Sequence, residues 1–481
     1  MSWFRRTLWL ALTALLAVGA ATPASANLGV GEATAGQSGS ALWEINRDAS
    51  GTLYISDYML PAILVVNPTT GAYTRYTFSL TASFVIAPGD AKPDSSGHLW
   101  WSDYYSSFGR LNPNTLQVTY WEVLSSLNLA PGGFAFDGSG RLWFTQYNRP
   151  QLLRFNPSNN ELCRFTVNGG GNYLIAYGGR LWIGDSQGRR ILRFDPATNQ
   201  LFWWNLGGSA SPQGLAFDAD GMLWWADAQV PARIGRLNPN TNQATYYTGL
   251  PSNAHPVAVV PGVEVVWYTD DYGSAGFVDP ARASGTTATL STGASTVSPT
   301  CSTVSSATQT VTKSTGTFSF PPATWTLLSG TPAGLTVYIP PGTTPAPYGL
   351  AVSADRVWFS DQYRLTLTRT PRLPQAPVVS ISLSGGNLTL SWPPVTQDEG
   401  GSPVTVSSYQ VWRSGNPYFR PWDSGVTFVG SATGTSLGVG AAPSGGQSAF
   451  FAARSVASSG LISRTSNRVG AFSFTLVPGA P

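Results

Sequence analysis

The stretch Leu99-Trp100-Trp101-Ser102-Asp103 has six relatives along the chain, and this repetition decides the fold. Each copy has an aliphatic residue, an aromatic residue, a large apolar residue, a small residue and then Asp or Gln. The other six copies end at Asp57, Gln146, Asp185, Asp227, Asp270 and Asp361. Successive copies end 46, 43, 39, 42, 43 and 91 residues apart. A period near 40 residues indicates a stacked or circular array of one structural unit.

Each copy has the same neighbours, which predict four short antiparallel strands per unit. A small apolar strand and a turn come before it, as in residues 214–221. A third strand follows and ends in Asn-Pro or Asp-Pro, a pair that stops a ladder and starts a turn. An aromatic-rich fourth strand completes the unit, as in residues 243–248. The pattern predicts an all-β protein with a seven-bladed β-propeller over residues 27–373, and it places the repeated tryptophans in the core.

Two irregularities in the array need separate predictions. The seventh copy lacks a fourth strand, and residues 28–35 precede the first copy, so we expect the N-terminal segment to fill the gap and close the ring. The interval of 91 residues contains an extra Ser/Thr-rich segment at about residues 284–323, after the third strand of blade six. A surface loop is the favoured interpretation, and a rim hairpin or partner-binding element is the alternative.

A second domain is predicted after a proline-rich linker at residues 374–377. Residues 378–481 contain short alternating strands separated by turn signals, which is typical of a small β-sandwich. Trp392 and Tyr409 stand where a fibronectin type III domain has its characteristic aromatic residues, and this part of the chain resembles that domain.

Composition and the N-terminus narrow the class of protein. Charged residues make up 11% of the chain, aromatic residues 12% and hydrophobic residues 42%. Residues 1–26 have two arginines, a short apolar run and an Ala-Ser-Ala cleavage site, which predicts a signal peptide and a secreted or cell-surface protein. Removal of Arg5 and Arg6 lowers the formal net charge from +3 to +1. Such a balance argues against nucleic acid as a partner, and no membrane span is expected.

The chain has only two cysteines, Cys163 and Cys301. Cysteines can pair in an oxidising compartment. The repeat places these two in well-separated parts of the fold, however, so two independent thiols are the favoured prediction.

The phrase PQGLAFDADGMLWWADAQVPARIGRLNPNTNQATYYTGLP, residues 212–251, and its repetitions resemble the streptogramin (virginiamycin B) lyases, relatives of NHL-type propellers. The resemblance covers about residues 40–370. It implies a seven-bladed propeller that opens an ester of a cyclic depsipeptide by carbon–oxygen elimination. In such lyases a histidine is the base and a magnesium ion polarises the carbonyl.

The functional positions of that family are only partly kept in this sequence. His255 stands at the histidine that leads blade six and is the candidate catalytic base. Tyr348 stands at the second histidine, Ala346 at a nearby glutamate, and Asp361 at the last glutamate. Asp361 is therefore the candidate metal residue, and a magnesium ion is expected only if the chain is active as a lyase.

Two classes of function follow. The leading hypothesis is a monomeric secreted scaffold that binds a small molecule, a glycan or an extracellular protein and has no cofactor. The alternative is the lyase-like eliminase. In both, His255 would line a pocket with Tyr348, Asp361, Asp270, Asp271, Asp227 and Gln213. The repeated aspartates also have a structural interpretation, as acceptors for backbone N–H groups in their own turns. Exposed tyrosines after these positions could form an aromatic platform, namely Tyr58, Tyr104, Tyr147 and Tyr272.

Overall fold

A computed structural model describes residues 27–34, 41–78, 88–103, 107–122, 133–146, 149–167, 170–342, 344–353 and 355–473. The predicted signal peptide lies outside these residues. The regular elements in the described part of the chain are all β-strands. No helix there is long and apolar enough to cross a bilayer.

Seven four-stranded antiparallel units account for most of the chain, and we number them in chain order. The N-terminal strand β1 (Leu28–Thr34) belongs to unit seven. Unit one contains β2 (Leu42–Arg47), β3 (Leu53–Asp57), β4 (Ala62–Val66) and β5 (Ala72–Phe78). Unit two contains β6 (Pro88–Pro93), β7 (Leu99–Asp103), β8 (Ser107–Asn112) and β9 (Gln117–Glu122). Unit three contains β10 (Phe134–Phe136), β11 (Leu142–Thr145), β12 (Gln151–Asn156) and β13 (Glu161–Thr166).

The next two units follow the same plan. Unit four contains β14 (Gly171–Tyr177), β15 (Arg180–Asp185), β16 (Arg190–Asp195) and β17 (Gln200–Asn205). Unit five contains β18 (Pro212–Phe217), β19 (Leu223–Asp227), β20 (Arg233–Asn238) and β21 (Gln243–Tyr247).

In unit six the chain leaves the unit before the unit is complete. The first three strands are β22 (Pro256–Pro261), β23 (Val266–Asp270) and β24 (Ser274–Val278). Five further strands intervene: β25 (Gly285–Thr289), β26 (Ser291–Thr296), β27 (Pro299–Thr303), β28 (Ser306–Thr317) and β29 (Pro322–Leu327). The fourth strand of unit six is then β30 (Leu335–Ile339), which pairs with β24.

The N-terminal strand completes unit seven. This unit contains β31 (Pro347–Val352), β32 (Val357–Asp361) and β33 (Thr366–Arg369), and β1 pairs with β33. The predicted use of the N-terminal segment as the missing fourth strand is confirmed.

First strands of several neighbouring units contact one another, those of unit seven and unit one included, and we call this arrangement of the units the ring. At three junctions in the described part of the chain, the hydroxyl of the residue before the closing Asp donates to the carbonyl at the second position of the next unit's first strand. Ser56 donates to the Gly89 carbonyl over 3.1 Å. Thr269 donates to the Tyr348 carbonyl over 2.7 Å. Ser360 donates to the Trp43 carbonyl and so joins unit seven to unit one.

The core lies between neighbouring units, where the repeated tryptophans are buried. Trp182 of unit four and Trp225 of unit five belong to one cluster. Glycine is required opposite the second tryptophan of a unit, because a Cβ atom on Gly235 would lie 2.1 Å from the Trp225 ring. The prediction that these aromatic residues are framework is confirmed.

Strands β25 to β29 form a belt around the outside of the ring. β25, β26 and β27 pair with the fourth strands of units five, four and three. The long strand β28 pairs with the fourth strands of both unit two and unit one. β29 lies between β1 of unit seven and β30 of unit six. The expectation of a surface loop is wrong, because β-branched threonines favour strands and the fourth strands offer edges to pair with.

The belt also explains why the prediction of two free thiols is wrong. Cys163 on β13 lies directly opposite Cys301 on β27, and the two form a disulfide across 138 residues of chain. The distance between the two cysteines in the sequence did not reflect their distance in the fold, because the belt pairs with the fourth strands of units that precede it in the chain.

Two small sheets form the C-terminal unit. One contains β34 (Ser380–Ser384), β35 (Asn387–Ser391) and β38 (Ser436–Ala441). The other contains β36 (Val406–Ser414), β37 (Thr427–Ala432), β39 (Ser448–Ala457) and β40 (Val469–Phe472). Both sheets contribute side chains to one core, in which Trp392 lies 5.1 Å from Tyr409.

Arg454 of the C-terminal unit is fully buried against unit six. Its guanidinium donates to Asp279 over 2.6 Å and to Glu264 over 3.4 Å, and it stacks over Trp412. This charged contact fixes one side of the C-terminal unit to the ring.

Candidate functional site at the aspartate face

The second strands of the units end on one side of the ring, which we call the aspartate face. Its repeated carboxylates accept a hydrogen bond from the backbone N–H just before the first strand of their own unit. The donors to Asp57, Asp227, Asp270 and Asp361 are Ala41, Ser211, His255 and Ala346, at 2.7–3.1 Å. The structural interpretation of the repeated aspartates is therefore confirmed for these units.

Three of the predicted pocket residues belong to this set and are almost completely buried. Asp227 also accepts from Arg233, and Asp270 from the Tyr272 N–H and from Ser274. Asp361 also accepts the N–H groups of residues 363 and 364. Burial raises the pKa values of Asp270 and Asp361 despite these hydrogen bonds. These carboxylates hold turns together, and their oxygens face backbone donors.

The first strands bring a different set of side chains to the centre of this face. Six of them have a β-bulge at or near their start, beside the closing Asp of the second strand. A bulge turns side chains away from the regular alternation of a strand, and bulges are common beside functional sites. Trp43, Glu44, Tyr173, Gln213 and Tyr348 all lie at or next to these bulges.

Two tyrosines meet across the centre of the ring. The Tyr173 hydroxyl of unit four and the Tyr348 hydroxyl of unit seven are 2.9 Å apart. Trp43 of unit one packs against Tyr348, with ring centroids 4.4 Å apart, and also against Tyr58. Burial raises the pKa values of Tyr173 and Tyr348, so both phenols remain protonated at neutral pH. Together these rings form a hydrogen-bonded floor.

Glu44 lies beside this floor and is a neutral acid at neutral pH. Protein surrounds its carboxyl group, although part of the side chain still reaches water. Burial, followed by repulsion from Asp90, raises the pKa of Glu44 to about 8. Asp90 itself accepts from Lys92 over 2.7 Å and from Asn46 over 2.6 Å. The centre of the ring is therefore polar, but its strongest charges are already paired.

His255 and Asp271 form a titratable pair at this face that is partly open to solvent. The imidazole Nδ1 lies 2.9 Å from the Asp271 carboxylate, and 35% of the His255 side chain is exposed. This hydrogen bond raises the pKa of His255 above its ordinary value. The Tyr272 ring lies 5.1 Å from the imidazole. An oriented, accessible imidazole of this kind can bind a ligand or accept a proton.

Exposed apolar side chains lie around these groups on the loops that follow the second strands. Tyr272 is 64% exposed, Tyr363 68%, Met59 61% and Val230 81%. They come from units six, seven, one and five. Large apolar side chains gathered at one end of a soluble protein are typical of a recognition surface.

The predicted site residues therefore separate into two groups. His255, Asp271, Tyr348 and Gln213 lie at the accessible or central part of the face, and Gln213 donates to Ser211 over 3.1 Å. Asp227, Asp270 and Asp361 are buried in turns. Tyr272 is exposed as a platform residue would be, whereas Tyr58 is half-buried against Trp43. Tyr104 and Tyr147 lie outside the described residues.

The residues present do not fit the magnesium ion that the family resemblance implies. Hard cations need several convergent oxygen ligands. Asp361 is surrounded by three backbone N–H donors, the Ala346 side chain has no ligand atom, and Tyr348 is a protonated phenol held by Tyr173.

The structure offers one other grouping of metal-ligand types within the described residues. Glu161, Cys163 and Cys301 lie within 4.8 Å of one another. The two sulfurs are joined in the disulfide, so they are not thiolate ligands.

Sequence reasoning missed Trp43, Glu44 and Tyr173. A usable signal was present at the first strands, where the second and third residues vary among the units. The repeated positions form the framework of each unit. The positions that vary among the units, at the second and third residues of the first strands, are therefore the ones whose side chains face the centre.

No protein-family model matches the sequence, and a search of curated proteins finds no match. Solved structures do match the fold. A streptogramin B lyase is 16% identical with a TM-score of 0.53, and the match covers 72% of this chain and 99% of that one. The virginiamycin B lyase from Staphylococcus aureus is 16% identical with a TM-score of 0.52, covering 71% and 98%. Identity this low shows the fold alone, and the chain has a β-propeller fold like that of the lyases.

Proposed function

We propose that this protein is a secreted ligand-binding β-propeller whose aspartate face is the binding surface. In this proposal the seven units are the blades of one closed propeller, and the C-terminal sheets form a fibronectin type III-like module that positions it. The carrying observation is the composition of the face. An accessible His255–Asp271 pair and a hydrogen-bonded aromatic floor lie among exposed Tyr272, Tyr363 and Met59.

The charges of the site favour binding over metal-assisted catalysis. Asp271 is hydrogen-bonded to His255, Glu44 is protonated at neutral pH, and Asp90 is paired with Lys92. A ligand would therefore meet a surface of small net charge with flat aromatic faces and several hydrogen-bonding groups. A small molecule, a glycan or a segment of an extracellular protein has the complementary chemistry.

NMR can test this proposal directly, since the chain has only two histidines. The His255 imidazole signals are followed while a fixed panel of oligosaccharides, tripeptides and a type B streptogramin is titrated in. A binding ligand should shift His255 and leave His98 unchanged, because His98 lies at the other end of its unit. Tyr272→Ala should weaken this binding, and Tyr418→Ala, a change at an 85% exposed tyrosine of the C-terminal unit, should not. Binding that survives the loss of Tyr272 and Tyr363 contradicts the proposal.

A second candidate function is supported by the His255–Asp271 pair alone. An imidazole oriented by a carboxylate is suited to accept a proton beside a carbonyl, as an eliminase requires. The residues at the family's magnesium positions do not fit a metal ion, which such an enzyme would use to stabilise the developing negative charge. Turnover of a type B streptogramin that is lost in His255→Ala would favour this candidate.

A further inference from the structure

A cavity lies away from the aspartate face, between the ring and the C-terminal unit. Its volume is about 330 Å³, within the range of small-molecule sites. One wall comes from unit five and unit six, with Trp224, Arg236 and Glu264. The other wall comes from the C-terminal unit, with Arg420 and Trp422. Ligand sites are common at such junctions between domains.

The cavity continues into a second one, so the two form one cleft. The neighbouring cavity has a volume of about 510 Å³ and contains Asn238, Gln243 and Thr245 in its wall. Arg236 and Trp422 line both cavities, as do the paired residues Asp220 and Arg420. The two volumes together are sufficient for a ligand of more than one ring.

The walls of the cleft are held rigidly. Glu264 accepts the N–H of Thr465 over 2.8 Å and its hydroxyl over 3.0 Å, which fixes the C-terminal segment against unit six. Arg468 donates to the Phe419 carbonyl over 2.9 Å. A site whose walls come from two domains but are tied together this way can bind without a large rearrangement.

The chemistry of the lining indicates the class of ligand. The lining of the two cavities carries both signs of charge and is slightly acidic: the arginines are Arg236, Arg420 and Arg468, and the acidic residues are Asp218, Asp220, Glu264 and Asp423. The Arg236 guanidinium stacks over the Trp224 ring at 5.3 Å and lies 4.0 Å from the Asp218 carboxylate, so it forms part of the cleft wall. Trp422 is half-buried and offers an indole surface at the cleft.

We propose that this cleft between the ring and the C-terminal unit is a binding site for a neutral saccharide. Sugar hydroxyls accept from guanidinium groups and donate to carboxylates, so a lining with both signs suits a neutral polyhydroxylated ligand. The apolar face of a pyranose ring can pack on the Trp422 indole. The site is separate from the one proposed at the aspartate face and does not depend on it.

The test uses the full chain and two neutral disaccharides, cellobiose and N,N′-diacetylchitobiose, with tryptophan fluorescence and saturation-transfer NMR as readouts. At least one should bind saturably. Trp422→Ala and Arg236→Gln should each weaken binding by roughly tenfold or more. Ala219→Trp, at an exposed cavity residue, should block the cleft without removing a contact. Tyr418→Ala is the matched control and should bind as the unchanged protein does.

The opposite results overturn the proposal. No binding of either disaccharide, or binding that survives both Trp422→Ala and Ala219→Trp, removes the cleft as the site. Stronger binding of glucuronic acid or N-acetylneuraminic acid than of the neutral sugars contradicts the argument from the charges of the lining. Loss of sugar binding in Tyr272→Ala but not in Trp422→Ala would assign it to the aspartate face.

Discussion

The disulfide between the belt and unit three should contribute a large share of the stability of the ring. Cys163 and Cys301 close a loop across 138 residues. The chain-entropy relation gives about 5 kcal/mol at 25 °C for a loop of this length. With the unfolding entropy typical of folded chains, a ring of this size converts that energy into a fall in Tm of roughly 7 °C. Reduction of the disulfide should lower the Tm by this amount, and so should the double replacement of Cys163→Ala and Cys301→Ala.

Differential scanning calorimetry with and without a phosphine reductant measures this effect, and thiol titration in denaturant reports the oxidation state. The unchanged protein should show no free thiol before reduction and two afterwards. The double variant is the control, because reductant should leave its Tm unaltered. A reduced protein with two titratable thiols that melts at the same temperature as the oxidised form would refute the reasoning. Two free thiols before reduction would refute the pairing itself.

Three further predictions concern buried or titratable groups. Arg454→Ala should lower the free energy of unfolding by about 3–5 kcal/mol, because the buried carboxylates of Glu264 and Asp279 lose their charged partner. Chemical denaturation measures this change, and an unchanged denaturation midpoint would contradict it. Asp271→Asn should lower the pKa of His255, because it removes the carboxylate that raises it. The raised pKa stabilises the fold at pH values below the pKa of an unfolded histidine, and this stability is lost as the pH rises through the pKa of the folded protein. An NMR titration follows this shift with His98 as internal control, and no change in His255 would contradict it. The unchanged protein should lose stability as the pH rises from the ordinary pKa of a glutamate to about 8, because Glu44 is protonated in the fold over this range. Glu44→Gln should reduce that loss, and Tm measured against pH tests it. The same dependence of Tm on pH in both proteins would contradict the prediction.

The framework of the ring could be predicted from the repeat, because each unit has the same local sequence pattern. The aliphatic-aromatic phrase and the Asn-Pro turns fix the strands, and the closing Asp caps the backbone of its own unit, as at Asp227. Even the use of β1 to complete unit seven followed from the one strand that was missing.

The belt could not be predicted in the same way. Its residues carry no period and no apolar alternation, so the segment resembled a loop. Its strands exist because the fourth strands of units one to five leave edges to pair with, which is a property of the assembled ring. The pairing of Cys163 with Cys301 depends on that same tertiary path.

The candidate site was predicted only in part, for a related reason. His255 was identified from its match to the histidine that leads blade six in the lyases, and Asp271 was named among the carboxylates near it. Tyr173 and Glu44 were missed because bulges in two different units turn them toward the centre, and such bulges leave no signature in a single strand.

In our proposal the aspartate face binds a ligand and lacks the metal chemistry of a lyase. The most direct measurement incubates the purified protein with a type B streptogramin and magnesium, then follows the ester bond by mass spectrometry. We expect the antibiotic to be recovered intact at every magnesium concentration. Formation of the ring-opened product by the unchanged protein, and its loss in His255→Ala, would contradict it.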